Sequence, residues 1–230
     1  MSREDKLIDF STVLGSAVHD MKNSLCLLMQ SIESLGQSLI ETDPVSREHL
    51  ASAHYEAARL NTGLVQLLSL YRAGSDNLPL NIDEYHIDDV IEDLLATNES
   101  YLNHKNIILE VSQVADLVWY LDADLIGILL NDVLINAMRY SKKIIQLSVY
   151  TEHERLVFKV EDDGPGYPQS MLKAHNINMQ HFDIGRGRNG LGLFFARLIA
   201  QGHTKGEIKG NISLGNGGKL GGSVFILTLP

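Results

Sequence analysis

The chain has one cysteine, Cys26, in 230 residues. That excludes an intramolecular disulfide and any multi-cysteine metal site, and fits a reducing compartment. Long hydrophobic runs are missing too. No stretch approaches the roughly 18 uninterrupted apolar residues of a membrane span, and Met1-Ser2-Arg3-Glu4-Asp5-Lys6 leads into no apolar signal core. The expected location is therefore cytoplasmic. Basic residues are scarce, with 19 Lys and Arg against 29 Asp and Glu and a formal net charge of −10. This balance argues against a nucleic-acid surface, which needs clustered cations to displace counterions. An anionic ligand would have to be met locally, by backbone amides, a metal ion and a few basic side chains. Repeats and low-complexity tracts are absent as well.

What is present is a 44% hydrophobic chain, ample for one large or two modest cores. From Leu7 the apolar residues step through Phe10, Leu14, Ala17, Met21, Leu25, Leu28, Ile32, Leu35 and Leu39 in threes and fours, which predicts one helix over about residues 4 to 40. Thr42-Asp43-Pro44 supplies a stop and a new start. A second stripe follows through Leu50, Ala53, Ala57, Leu60, Leu64, Leu67 and Tyr71. Two such helices form an antiparallel hairpin whose stripes are not all covered within one copy, so a homodimeric four-helix bundle is expected.

Residues 74 to 78 read as a linker, in a Gly- and Pro-containing polar stretch. They separate a helical domain, residues 1 to 73, from a domain at 79 to 230. In the latter, helices are expected over Asp88 to Ala96, Leu125 to Tyr140 and Leu191 to Gln201. Strands are expected over Ile107 to Ser112 and Leu117 to Leu121. Ile144 to Tyr150 pairs with Leu156 to Val160 across Glu152-His153-Glu154-Arg155, and Gly210 to Leu214 pairs with Ser223 to Leu229. The fold class is thus multidomain, α plus α/β, with a two-layer α/β sandwich second.

Three segments carry chemistry. His19 precedes Asp20 and lies about 200° from the stripe residue Met21 around the helix, toward solvent. A neutral imidazole with a carboxylate beside it is a nucleophile with its base. Alone, such a pair also reads as a solvated surface pair, as His153-Glu154 does. Asn136, late in an apolar helix, offers a carbonyl oxygen to a magnesium ion that bridges ATP phosphates, with Arg139 as a cation and Tyr140 as an aromatic face. Asp162-Asp163-Gly164-Pro165-Gly166 ends a strand. It reads either as a tight Asp-Gly turn or as an adenine site, in which Asp162 accepts from the exocyclic amine and Gly164 and Gly166 let the backbone approach the ring. Gly190-Leu191-Gly192-Leu193 opens a helix whose free amides suit phosphate.

Taken in order, His19-Asp20-Met21-Lys22-Asn23-Ser24-Leu25, Asn136-Ala137-Met138-Arg139-Tyr140, the D-x-G-x-G at Asp162, Gly164 and Gly166, and the glycine pair Gly190 and Gly192 resemble the boxes of bacterial two-component sensor histidine kinases. The resemblance spans essentially the whole chain. Ser24 stands where a proline is frequent, and Phe182 is the only candidate for a phenylalanine box. The resemblance implies a dimerisation and phosphotransfer hairpin followed by a catalytic domain of the GHKL ATPase type. His19 would be autophosphorylated from Mg-ATP with Asp20 assisting, and the phosphoryl group would pass to an aspartate of a response regulator receiver domain. It further implies that Asn23 orients water in regulator dephosphorylation, and that Asp132, where the family often has a second Asn, assists near the metal. Tyr167 to Asn189, with Lys173, Arg186 and Arg188, is expected as a lid over the phosphates. No recognisable sensor segment precedes the first helix, so a separate sensor protein or a dimer-level control is expected to supply the signal. A second reading is a dimeric phosphotransfer or scaffold protein with an inert ATP domain. A third, a chaperone or topoisomerase relative, lacks a reason for the His19 hairpin.

Overall fold

The computed structural model describes residues 80–174 and 190–230, together with 21, 23–25, 27–32, 34, 35, 53, 56, 57, 60 and 63. The chain divides into two compact units, Met1–Arg72 and Ala73–Pro230.

In the first unit the described residues are α-helical. Ile32 and Ala57 are buried, whereas the stripe members Met21, Leu28, Leu35 and Leu60 remain 48% to 54% exposed. Apolar surface of that extent is unusual on a helix that packs fully within its own chain. His19, Asp20 and the expected turn between the two stripes lie outside the described residues.

The second unit is a two-layer sandwich. Its strands are β1 (Asp83–His86), β2 (Ile108–Gln113), β3 (Val118–Leu121), β4 (Ile144–Glu152), β5 (Arg155–Asp162), β6 (Thr204–Lys205), β7 (Ile208–Lys209), β8 (Asn211–Asn216) and β9 (Ser223–Leu229). Its helices are α1 (Ile87–Lys105), α2 (Ala123–Tyr140), α3 (Gln169–Ala174) and α4 (Gly190–Gly202). The main sheet runs β2-β4-β5-β9-β8, with β2 parallel to β4 and the other neighbours antiparallel. β1 pairs with β3 and β6 with β7 in two small antiparallel ribbons.

Alternation along the strands decides which face is covered. Ile145, Leu147 and Val149 of β4 and Phe225, Leu227 and Leu229 of β9 share a register row with Leu156, Phe158 and Val160 of β5, and all are buried. Against them lie Ile87, Ile91 and Leu94 of α1, Ile126, Leu129, Leu130 and Leu134 of α2, and Phe195 and Ile199 of α4. Removing a ring such as Phe158 from this layer would cost about 3–5 kcal/mol. Among the described residues no helix is long and apolar enough to cross a membrane.

The helix expected at Asp88 to Ala96 continues to Lys105. Polar Asn98 sits inside the layer rather than ending it, because its amide donates to the Leu94 carbonyl at 2.9 Å and to Asn131 Oδ1 at 2.8 Å. Asn106, in the left-handed region at φ 53°, makes the stop. The β4–β5 turn falls at the expected Glu152 to Arg155: those two residues pair as the strand ends, and His153 and Glu154, at φ 48° and 59°, form the two-residue reversal that matches strand twist. The start of the expected 23-residue lid is a helix, α3, with Pro168 O accepting from Met171 and Leu172. Residues 175–189, including Arg186 and Arg188, lie outside the described residues.

Candidate functional site

The core-facing row of β5, Leu156, Phe158 and Val160, ends on a carboxylate. Asp162 occupies the next core position, opposite Ile145, and is 3% exposed. A charged group there needs partners, because desolvation without them is costly. Asp162 Oδ1 accepts the Gly164 N–H at 2.7 Å and the Ser223 N–H at 3.1 Å, while Oδ2 accepts the Ser223 hydroxyl. The Asp162 carbonyl takes the Gly222 N–H at 2.9 Å, which ties the β8–β9 loop to the same strand end.

The glycines of this loop answer to the protein's own packing as well as to any ligand. A Cβ on Gly164 would lie 2.5 Å from the Tyr140 carbonyl oxygen, so the loop meets the end of α2 backbone to backbone. Gly166 adopts φ +81°, where L side chains are rare, and a Cβ would press on the Asn216 amide at 2.8 Å. That turn brings Tyr167 back beneath the loop. Asn216 accepts the Tyr167 N–H at 2.7 Å and donates to its carbonyl at 2.9 Å, and the phenol hydrogen-bonds to Ser223. Burial pushes the Tyr167 hydroxyl up to about 12; the Ser223 bond opposes this, and the negative charges of Asp162 and Asp132 add to it. Asp132 of α2 is therefore within electrostatic reach of the loop.

Asn136 is exposed, one turn beyond Asp132, and its amide nitrogen donates to the Asp132 carbonyl at 2.8 Å. The amide nitrogen is thus turned to its own helix and the carbonyl oxygen away from it, the orientation a hard cation requires. Arg139 stands over the Tyr140 ring at 5.5 Å, so the expected cation and aromatic face are stacked on each other. Past the helix end, Asp163 accepts the Lys142 N–H at 2.7 Å and the Lys143 N–H at 3.0 Å, joining the α2–β4 turn to the Asp162 loop. Burial would raise the Asp163 carboxyl, but the N–H groups of Lys142, Lys143 and Ile144 outweigh it and hold the group below its ordinary value.

Gly190 is the first residue of α4, with Leu191, Gly192 and Leu193 completing its first turn. The first amides of a helix have no intrahelical acceptor and carry its positive end. α4 packs on α2, and its far end is pinned by His203. That buried ring meets the Ile199 carbonyl through Nδ1 at 2.8 Å and accepts the Asp122 N–H through Nε2 at 3.0 Å. Asp122 is in turn the N-cap of α2, accepting from Leu125.

The structure thus sets Tyr140, at the end of α2, against Gly164 and puts Asp132 within electrostatic reach of Tyr167, with Asn136 and Arg139 between them along the same helix. Asn23 is exposed on a helix of the first unit; His19, Asp20 and Arg188 lie outside the described residues. Four residues escaped the sequence reading: Asp163, Tyr167, Asn216 and Ser223. The signal available for the last two is the glycine-rich stretch 217–222 between them, which marks a hairpin end where a polar pair faces across. Among the described residues no three His, Cys, Asp or Glu side chains cluster to hold a metal. A cleft of about 420 Å³ bounded by Ile82, Trp119, Tyr120 and Lys205 contains none of the expected site residues.

Residues 121–230 match the family model of the histidine kinase-, DNA gyrase B- and HSP90-like ATPases. The chain is 26% identical over 231 residues to the sensor protein KdpD of Clostridium acetobutylicum, covering 96% of this chain and 24% of that protein. It is 24% identical over 224 residues to the sensor protein SrrB of Staphylococcus aureus, covering 94% and 37% respectively. The chain therefore spans about a quarter to a third of the curated relatives' length. The fold is shared with the histidine kinase AdeS of Acinetobacter baumannii (TM-score 0.59, 21% identity, 92% of this chain and 96% of that one). It is shared also with full-length ShkA in complex with AMPPNP (TM-score 0.60, 17% identity, 95% of this chain and 45% of that one).

Proposed function

We propose that this chain, a relative of the sensor histidine kinases whose residues 121–230 belong to the histidine kinase-, DNA gyrase B- and HSP90-like ATPases, phosphorylates its own His19 from ATP and passes the phosphoryl group to a response regulator. The observation that carries the reading is the buried Asp162 at the end of a core row, partnered by backbone and Ser223 and joined through Gly164 to the end of α2. An acid in that setting is kept for a ligand donor, and the adenine amine is the donor that fits. The neighbouring structure with AMPPNP supports an adenine nucleotide here.

The polyphosphate lies toward the start of α4, where the Gly190 to Leu193 turn presents its amides. Magnesium, when bound, neutralises phosphate charge; Asn136 holds it through its amide oxygen, with Asp132 assisting nearby. Arg139 and Tyr140 flank the nucleotide, and Arg188 supplies a further cation for its phosphates. One nitrogen of the neutral His19 ring attacks the terminal phosphorus, and the bond to the ADP oxygen breaks. The proton on the other nitrogen passes to Asp20. In the second step an aspartate oxygen of the receiver domain attacks the same phosphorus, the N–P bond breaks, and the His19 ring takes a proton back, from Asp20 or from water, to leave as the neutral imidazole. Asn23 orients water for the reverse duty, hydrolysis of the regulator's acyl phosphate.

The half-exposed stripe of Met21, Leu28, Leu35 and Leu60 supports a homodimer, in which a second copy covers these residues. The working compartment is the cytoplasm, where ATP and receiver domains are found. Incubation of the full chain with magnesium and ATP labelled on the terminal phosphate tests the whole scheme. Wild type acquires acid-labile label and His19→Gln does not; equal labelling of the two removes His19 from the reaction.

A further inference from the structure

Glu161 and Asp162 end β5 side by side, so their side chains leave opposite faces of the sheet. Asp162 continues the core row, whereas Glu161 shares the other face with Lys159. A carboxylate on that face would ordinarily stand in water, yet the Glu161 side chain is only 2% exposed. What lies against it is the loop 217–222 between β8 and β9. The Lys219 N–H donates to Glu161 Oε1 at 2.9 Å, a Cβ on Gly218 would collide with the same oxygen, and Lys159 Nζ meets Oε2 at 2.8 Å. Burial would raise this carboxyl, but the Lys159 ammonium and the Lys219 N–H outweigh it and hold the group below its ordinary value, so at neutral pH it only accepts.

The loop is poorly equipped to hold its own shape. Gly217, Gly218, Gly221 and Gly222 make up four of its six residues, and the first three sit at φ 103°, 34° and 87°, where glycine alone is at ease and has most freedom to lose. One bond closes it, from the Gly217 N–H to the Gly222 carbonyl at 2.9 Å. Two neighbouring residues of β5 supply the rest. Asp162 takes the loop's last residue and the one after it, through the Gly222 and Ser223 N–H groups, and Glu161 takes its middle, through Lys219. We infer that Glu161 is a positioning residue of the nucleotide site: by holding the 217–222 loop from the face opposite the core it keeps Gly222 and Ser223 on Asp162, and so fixes the carboxylate that meets the base. This rests on the reading of Asp162 as the base anchor. With the clasp released the glycines regain their freedom, and the nucleotide has to restore the loop's order as it binds, with a loss of affinity. The phosphates are met by other residues, so the loss falls on the base end.

Calorimetric titration of the full chain with ADP, with and without magnesium, tests the clasp. Glu161→Met keeps the bulk of the side chain and removes the acceptor, whereas Glu161→Gln returns an acceptor oxygen of the same reach. Glu161→Met weakens ADP by about three- to tenfold at unchanged stoichiometry, so the loss does not come from unfolded chain, and Glu161→Gln stays within about twofold of wild type. The factor by which magnesium tightens ADP is the same in all three proteins. A Glu161→Met variant that binds as wild type does, or a Glu161→Gln variant as weak as Glu161→Met, overturns the clasp. A magnesium factor altered in Glu161→Met also overturns it, since the effect then lies at the phosphates. Asp162→Asn keeps the two readings apart. If Asp162→Asn weakens ADP and Glu161→Met does not, the clasp falls and the anchor stands; if Asp162→Asn binds ADP as tightly as wild type, or wild type binds none, the anchor falls and the clasp with it.

Discussion

Asp163 holds the backbone of Lys143 through both carboxylate oxygens, at 3.2 and 3.0 Å, and by this contact the loop that carries Asp162 is fastened to the turn that ends α2. Two segments 20 residues apart in sequence thereby share one anchor. Asp163→Ala should cost about 1–3 kcal/mol at neutral pH, since charge-assisted bonds to several N–H groups are lost together. The folded-state pKa lies below the ordinary 3.8. The stabilisation is therefore complete above the unfolded value and is lost as pH falls through the lower folded one. Thermal melts of wild type and variant should differ by a constant amount from about pH 5 to 8 and converge below about pH 4. A gap that widens in acid would contradict the assignment.

Gly166→Ala should destabilise the second unit by about 1–3 kcal/mol, because φ +81° and the approach of Asn216 penalise a Cβ independently. Pairing it with Asn216→Ala separates the two: the steric part is relieved and the backbone part stays. If chemical denaturation finds Gly166→Ala as stable as wild type, the loop does not have this conformation in solution.

The periodic parts of the fold were legible in the sequence, and the polar ones were not. α2 and the strands β4, β5 and β9 follow apolar rows that no alternative secondary structure satisfies. β1, with Asp83, Glu84 and His86, offers no such row; its pairing with Val118 to Leu121 is decided by backbone bonds to a distant partner. α1 outruns its apolar pattern because Asn98 finds Asn131, 33 residues away, and nothing local announces that contact. The same division holds at the site. Asp162, Asn136 and the glycine pair form motifs along the chain. Asp163, Tyr167, Asn216 and Ser223 act by reaching across strands and turns, so their roles exist only once the sheet register is known.

His203 is a buried neutral ring between the end of α4 and the cap of α2, and its titration should register in stability. Burial lowers its pKa, against the opposing effects of the Ile199 carbonyl and the Asp122 charge. Its contribution is full above the unfolded value, near 6.5, and declines as pH falls from there toward the lower folded value, because only the unfolded ring takes up a proton. His203→Gln should lose about 1–3 kcal/mol at pH 7 through unpaired Asp122 and Ile199 groups. It should also lack part of the wild-type decline between about pH 6.5 and 5, a component of up to about 1.4 kcal/mol per pH unit. Parallel stability curves for the two proteins across that range would exclude the ring as a titrating link.

Asn136 separates chemistry from stability more cleanly than any other residue of the site. It is exposed, and the side-chain bond it makes is to the carbonyl one turn back on its own helix. Asn136→Ala should therefore melt within about 0.5 kcal/mol of wild type. If its amide oxygen holds the magnesium ion, incorporation of labelled phosphate should fall by about a hundredfold or more, as when a single preorganised electrostatic contact to the reacting phosphate is removed. Chelation supplies the decisive comparison. Removing magnesium with EDTA should weaken nucleotide binding by wild type to the level of the variant, and should leave the variant's binding unchanged. A variant that still responds to magnesium as wild type does would move the metal to other ligands, with Asp132 the first to test by Asp132→Asn.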